Sequence, residues 1–175
     1  MKKSKKAALC GVMAAMSAVL MLGSYFPYFT YAIPAAAGAA VLIVLVEAGV
    51  PSALLTYGAA AAITLMTAEP EAKILFVMFF GYYPVVKGVF DKKLPKALSW
   101  VLKTAVFNSA MLISYYLIIN IFGMNVFGGE KAKLTFELLL LAAGNVVFVI
   151  YDIALQRFAS LYLMKIHPKI SRYLK

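Results

Sequence analysis

An uncharged apolar run near the start of the chain constrains the fold most strongly. Lysine occupies four of positions 2–6, and Ala7–Leu22 then contains no charged residue. A secretory signal peptide has the same order of segments, but it ends in a small-x-small cleavage site. Here residues 22–27 read LGSYFP instead. We therefore interpret the run as an uncleaved first transmembrane helix.

The composition extends this interpretation to the whole chain. Of its 175 residues, 64% are hydrophobic and 14% are charged, whereas soluble domains are about 45–50% apolar and about 25% charged. A spanning helix needs about 20 mostly apolar residues, so there is room for six spans and no separate domain. We predict an all-α integral membrane protein with one domain (1–175) and six transmembrane helices, at about 7–24, 33–48, 52–67, 74–90, 98–122 and 134–164.

The distribution of lysine and arginine predicts the orientation of these helices. Basic residues form three clusters of four: before the first span, in the tail, and in a basic loop at the end of the fourth span that we assign to Lys87, Lys92, Lys93 and Lys96. The loops on the other side of the predicted membrane carry three lysines. The positive-inside rule therefore predicts that both termini are cytoplasmic. It also accounts for the net charge of +10 without a nucleic-acid partner.

Residues that catalysis or a metal centre would need are scarce. The chain has one cysteine, Cys10, and one histidine, His167, which excludes an internal disulfide and a multi-cysteine metal site. It contains no H-E-x-x-H, no G-x-S-x-G and no glycine-rich phosphate-binding motif. We predict that the protein is not an enzyme and holds no metal or cofactor.

Polar side chains do recur within two of the predicted spans. At 100° per residue, Glu137, Asn145 and Asp152 share one face of the last helix. Asn108 and Tyr115 lie one heptad apart on the fifth. Ionisable groups inside spans are costly and mark functional sites by default. For Asn108 and Asp152, hydrogen bonding between helices is an equally good interpretation, and Glu137 also suits a charge at the membrane interface.

Aromatic and acidic residues border the predicted outer side. Tyr25–Tyr31 is an uncharged aromatic loop that suits either a membrane interface or a cover over a ligand, and residues 67–73 form an acidic loop. In the fourth span, residues 81–84 read GYYP, and the proline favours a kink. We predict an outward-facing pocket for a small molecule. Its predicted substrate-binding residues are Tyr28, Tyr31, Glu69, Tyr82, Tyr115, Tyr116, Asn120, Glu137 and Asn145.

Small residues spaced four apart mark one face of the first helix. Ala14 and Ala18 form an A-x-x-x-A pattern, and Gly11 and Ala15 form a parallel pair. Such faces allow helices to pack closely. A six-helix hydrophobic chain of this size, with this motif and with basic cytoplasmic ends, resembles the substrate-binding S-components of energy-coupling factor transporters. These transporters import vitamins and micronutrients into prokaryotes.

The resemblance implies a function and a set of partners. In that family the small-residue face, here Gly11, Ala14, Ala15 and Ala18, docks on a transmembrane coupling subunit that is connected to two ATPases. The ligand site faces outward and is capped by the first loop. The chain is therefore expected in the prokaryotic cell membrane, where it binds a small nutrient that the sequence does not name.

The residues leave two other interpretations open. One is a structural or assembly membrane protein without a ligand, in which the polar side chains join helices. The other is a small transporter that works without separate subunits.

Overall fold

The computed structural model describes residues 3–26, 28–122 and 130–169, with the side chains of residues 121–122, 130–138 and 140 left out. The described chain is built from helices. They are α1 (Lys3–Leu22), α2 (Ala32–Ala48), α3 (Val50–Thr67), α4 (Pro70–Leu75), α5 (Tyr83–Lys93), α6 (Lys96–Phe122) and α7 (Glu130–Leu161). A π-helical turn at Phe76–Phe80 joins α4 to α5, and a second one at Tyr162–Ile166 follows α7. A 3₁₀ turn at Gly23–Tyr25 follows α1.

These helices confirm an all-α membrane protein. Within the described residues, five segments are long and apolar enough to cross a membrane, and α4 and α5 together form one of them, Pro70–Lys93. The apolar helix α2 is shorter, at 17 residues. It is the second of six consecutive passes, and every predicted span corresponds to one pass. Each pass begins somewhat before its predicted start, because helices continue beyond the apolar run used to predict a span and helix ends are uncertain by one or two residues.

Two predicted loops are wrong in part. Residues 67–73 were expected to be a loop, but α4 begins at Pro70, and the Glu69 side chain caps it by accepting a hydrogen bond from Ala72 N at 2.8 Å. An acidic cap followed by proline is a strong helix start. Lys87 was assigned to a cytoplasmic loop, but it lies inside α5 and is buried.

The helix ends fall into two groups. One group, here called the basic end, contains the start of α1, the α2–α3 turn, the α5–α6 connection and the end of α7. At this end Glu47, the second-last residue of α2, accepts hydrogen bonds from Tyr162 Oη and His167 Nδ1, both at 2.8 Å. At the opposite end the Ser24 hydroxyl accepts a hydrogen bond from Glu69 N at 3.3 Å. The positive-inside rule predicts that the basic end is cytoplasmic.

Small residues hold α1, α2 and α3 together. The buried residues of α1 are Ala14, Ser17, Ala18 and Met21, and this face packs on α2 and α3. The Ser17 hydroxyl donates to the Ala37 carbonyl at 3.1 Å. Small side chains let the helix backbones approach one another, which is the main source of helix association in a bilayer.

Helix α2 occupies the centre of the bundle, with α1 and α3 on one side and α5 and α7 on the other. Gly38 lies where α2 meets the π-helical turn. A Cβ atom at this position would collide with the Phe80 carbonyl oxygen and lie 3.1 Å from Tyr151 Oη. Only glycine allows this close approach.

The fourth pass is interrupted near its middle, as the proline predicted. The helix widens into the π-helical turn at Phe76–Phe80 and resumes at Tyr83, with Pro84 in its first turn. Tyr57 of α3 donates its hydroxyl proton to the Val77 carbonyl at 2.6 Å. This bond satisfies a backbone group that the interruption would otherwise leave open in a membrane.

Candidate functional site

A ring of four charges joins α5, α6 and α7 near the basic end. Lys87 Nζ lies 3.0 Å from Asp91 Oδ2 and 2.8 Å from Asp152 Oδ2. Lys103 Nζ lies 3.0 Å from Asp91 Oδ1 and 3.3 Å from Asp152 Oδ1. Each lysine therefore bridges both aspartates, and each aspartate bridges both lysines. The formal charges cancel within the ring.

Three of the four ring side chains are buried, and each aspartate accepts a further hydrogen bond from a hydroxyl group. The side chains of Asp152, Lys103 and Lys87 are 1%, 2% and 8% exposed, whereas that of Asp91 is 40% exposed. Tyr83 Oη donates to Asp152 Oδ1, and Ser99 Oγ donates to Asp91 Oδ1 at 2.8 Å. Buried charges cost several kcal/mol each unless they are paired and hydrogen-bonded, and both conditions are met here.

The α5–α6 connection explains how the ring forms. Lys87 and Lys103 each lie eight residues from Pro95, and Asp91 and Ser99 each lie four residues from it. Antiparallel helices joined by a short turn place such equidistant residues at the same depth. This symmetry was available in the sequence, but assigning Lys87 to a loop concealed it. Asp152, for which a ligand site and a helix contact were equally open predictions, contacts Lys87 of α5 and Lys103 of α6.

Asn108 and Asn145 form a second polar contact between α6 and α7. Each amide nitrogen donates to the amide oxygen of the other, at 3.2 and 2.9 Å. Each nitrogen also donates to a backbone carbonyl one turn earlier, that of Thr104 or Leu141. Asn145, predicted to bind substrate, therefore has its amide occupied by another helix.

Several other predicted substrate-binding residues, among those that the structure describes, are engaged in separate contacts or exposed. Tyr31 donates to Glu71 at 3.3 Å, Glu69 caps α4, and Asn120 donates to the Tyr116 carbonyl at 2.8 Å. Tyr28 is 98% exposed and Tyr116 is 66% exposed. The Tyr115 side chain is half-buried on α6, and the side chain of Glu137 lies outside the described residues.

Tyr31 sits at the opposite end, just before α2. Burial and the nearby Glu71 carboxylate raise its pKa above the ordinary value. A phenol is protonated at neutral pH even at its ordinary pKa, so the raised pKa only extends to higher pH the range in which Tyr31 remains a hydrogen-bond donor.

Tyr82, a predicted site residue, lines a sizeable cavity. This groove has a volume of about 550 Å³ and lies between α3 and α6, over the interrupted fourth pass. Tyr57, which the sequence reasoning did not select, lies across the groove with its ring 5.9 Å from that of Tyr82 in an edge-on arrangement. The remaining lining residues are Val77, Met78, Leu102, Ala105, Val106, Ser109, Ala110 and Ile113.

The predicted docking face of α1 is divided by the fold. Ala14 and Ala18 are buried, at 4% and 6% exposure, in the face that packs on α2 and α3. Gly11 and Ala15 are exposed, and a Cβ atom at Gly11 would meet open space. Including Ala14 and Ala18 in an external docking face is therefore wrong, because helices of the same chain already cover them.

In the part of the chain that the structure describes, no three His, Cys, Asp or Glu side chains are placed to hold a metal ion. When the chain is compared with protein-family models, with curated proteins and with solved structures, nothing matches it. Proposals about its function therefore depend on its own residues.

Proposed function

We propose that the protein is the substrate-binding membrane subunit of an importer, similar to the S-components of energy-coupling factor transporters. It would capture a small, ring-containing nutrient and deliver it with the help of a coupling subunit and two ATPases, in a prokaryotic cell membrane. The observation that carries the proposal is the groove beside the interrupted fourth pass. We place the substrate there rather than among the dispersed residues of the opposite end.

Three properties of the groove support binding of a small molecule. Its volume of about 550 Å³ falls within the range of about 300–1,000 Å³ found for ligand pockets. It lies beside a π-helical turn and an interrupted membrane helix, two features that recur at functional and transport sites. Tyr57 and Tyr82 offer ring faces and edges to an aromatic ligand, for which offset or edge-on contacts are favourable.

The charge ring supports a substrate site that is closed toward the basic end of the bundle. The groove follows α6 from Leu102 to Ile113, about 16 Å at 1.5 Å per residue, and most of this stretch, from Ala105 onward, lies on the opposite-end side of Lys103. Toward the basic end the Lys87–Asp152–Lys103 contacts join α5, α6 and α7, and in this proposal they close that route to a ligand in the groove. Release would then require a rearrangement, which is the step that a coupling subunit and ATPases would drive.

The exposed small residues of α1 supply the proposed docking surface. Gly11 and Ala15 lie one turn apart on the outward side of the helix. Close approach of a partner helix at this position requires the absence of bulky side chains. The docking surface is therefore the Gly11–Ala15 line rather than the Ala14–Ala18 line.

A ligand-stabilisation experiment tests the substrate site. The purified full chain is heated with and without each member of a vitamin panel, and co-purified small molecules are identified by mass spectrometry. We expect one ring-containing compound to raise the unfolding midpoint of the wild type. Tyr82→Ala should lower the affinity for that compound about tenfold or more, because one aromatic contact contributes about 0.5–1.5 kcal/mol beyond the area it buries.

Tyr116→Ala is the matched control, since Tyr116 is exposed and does not line the groove. It should bind the compound as the wild type does. Failure of the whole panel to stabilise the wild type, or equal weakening by both variants, would contradict the proposed site.

A ligand-free assembly protein is the second candidate. The reciprocal Asn108–Asn145 bonds and the closed charge ring favour it, because these polar groups already find partners within the chain. If the second candidate is right, Tyr82→Ala should lower the stability of the fold without affecting any ligand.

A further inference from the structure

We propose that the basic end of α6 and α7 binds the phosphate-bearing headgroup of an anionic phospholipid. Two adjoining cavities, of about 370 and 480 Å³, meet at Gln156, which lines both of them. Lys96, Ser99 and Trp100 at the start of α6 line the first cavity. Arg157 and Ser160 line the second. Together they form one polar recess on the lipid-facing side of the two helices.

The local charge favours an anion. Asp91 and Asp152 also line the first cavity, but both are neutralised by Lys87 and Lys103 in the charge ring. Lys96 and Arg157 lie outside the ring, and among the described residues neither forms an ion pair. Two positive charges therefore remain for a ligand.

The depth of these residues matches the headgroup layer. Lys96 is the first residue of α6. Arg157 lies five residues beyond Asp152 toward the basic end, about 7.5 Å along the helix. The Trp100 ring is 38% exposed, and tryptophan concentrates at the interface between headgroups and acyl chains.

The apolar wall of the second cavity distinguishes a lipid from a free anion. Ile153 and Leu161 line the cavity together with Arg157 and are 45% and 53% exposed. An acyl chain could lie along this wall while the phosphate meets Arg157, Gln156 and Lys96. Basic pockets between helices at the cytoplasmic side are a recurrent form of anionic-lipid site.

Native mass spectrometry of the full chain tests this proposal. The protein in detergent is titrated with phosphatidylglycerol, with phosphatidylcholine of the same chain length, and with soluble glycerol phosphate. We expect retained phosphatidylglycerol, little phosphatidylcholine and no competition from millimolar glycerol phosphate. The double variant Lys96→Gln/Arg157→Gln should bind phosphatidylglycerol about 30-fold more weakly, since each basic residue contributes about fivefold.

The control variant Lys3→Gln/Lys6→Gln removes two exposed charges of α1 at the same end of the bundle. It should retain the wild-type affinity for phosphatidylglycerol. Equal loss in both double variants would indicate nonspecific charge attraction and overturn the proposal. So would equal retention of the two lipids by the wild type, a comparison that needs no variant, or displacement of the lipid by glycerol phosphate.

Discussion

The two halves of the bundle are held together by different kinds of contact. Helices α1, α2 and α3 meet through small side chains such as Ala14, Ala18 and Ala37. Helices α5, α6 and α7 meet through the charge ring and the asparagine pair. The first kind of contact fails when atoms are added, because the backbones are close. The second fails when a partner is removed, because a charge or amide is left buried alone.

Removing the centre of the charge ring should have the largest effect. Asp152→Ala leaves Lys87 and Lys103 buried with one shared carboxylate, and breaking a buried ion pair costs about 3–5 kcal/mol. We expect a large drop in the thermal unfolding midpoint in detergent. Gln156→Ala, one turn further along α7 and exposed, is the control and should unfold near the wild-type midpoint.

A combined variant sharpens this prediction. If the cost comes from unpaired charges, replacing all four ring residues with apolar side chains of similar volume should recover much of the lost stability. Wild-type stability of Asp152→Ala would show that the ring does not hold the second half together.

Adding one methyl group tests the close approach of α2 to the fourth pass, a contact that fails when atoms are added. Gly38→Ala drives a Cβ atom into the Phe80 carbonyl, and overpacking of this kind costs about 1–3 kcal/mol. Gly58→Ala, on the exposed side of α3, meets open space and should be neutral or stabilising, because alanine favours the helix by up to about 1 kcal/mol. When the two variants are measured side by side, the unfolding midpoint of Gly38→Ala should fall, and that of Gly58→Ala should rise or stay at the wild-type value. Equal shifts would contradict the close approach of α2 to the π-helical turn.

The asparagine pair should give the smallest effect. A double-mutant cycle with Asn108→Leu and Asn145→Leu measures the coupling between the two amides. Hydrogen bonds between membrane helices average about 0.6 kcal/mol and reach about 1.7 kcal/mol, so we expect a coupling energy in this range. Strictly additive losses of stability would show that the reciprocal bonds contribute nothing.

The contrast between the halves also explains what could be predicted from the sequence. Apolar runs and proline positions determine helices directly, so the six passes and the interruption before Pro84 were predictable. Which face of α1 is buried was not, because Gly11, Ala14, Ala15 and Ala18 are all small and either face permits close packing. Only the position of α2 and α3 decides between them.

The candidate site was harder to predict, because its contacts also depend on which helices lie beside one another. Polar residues of the opposite end were grouped by depth and by helical face, but Asn145 is committed to Asn108, and Glu69 to the start of α4. The lysines that do converge, Lys87 and Lys103, resembled ordinary interface charges. Their pairing becomes visible only when the α5–α6 hairpin is folded about Pro95. Tyr57 has no sequence signal of its own, since it lines the groove only because α3 lies beside the π-helical turn.

Affinity purification of the tagged full chain from its native membranes tests the central claim most directly. We predict that the wild type brings down a membrane coupling subunit and two ATPases. Gly11→Leu should unfold at the wild-type temperature but lose these partners, because the added side chain occupies the exposed docking line. Ala14→Leu should instead destabilise the chain itself, since Ala14 is buried. Recovery of the wild type without any ATPase, or undiminished recovery of the ATPases with Gly11→Leu, would contradict the account.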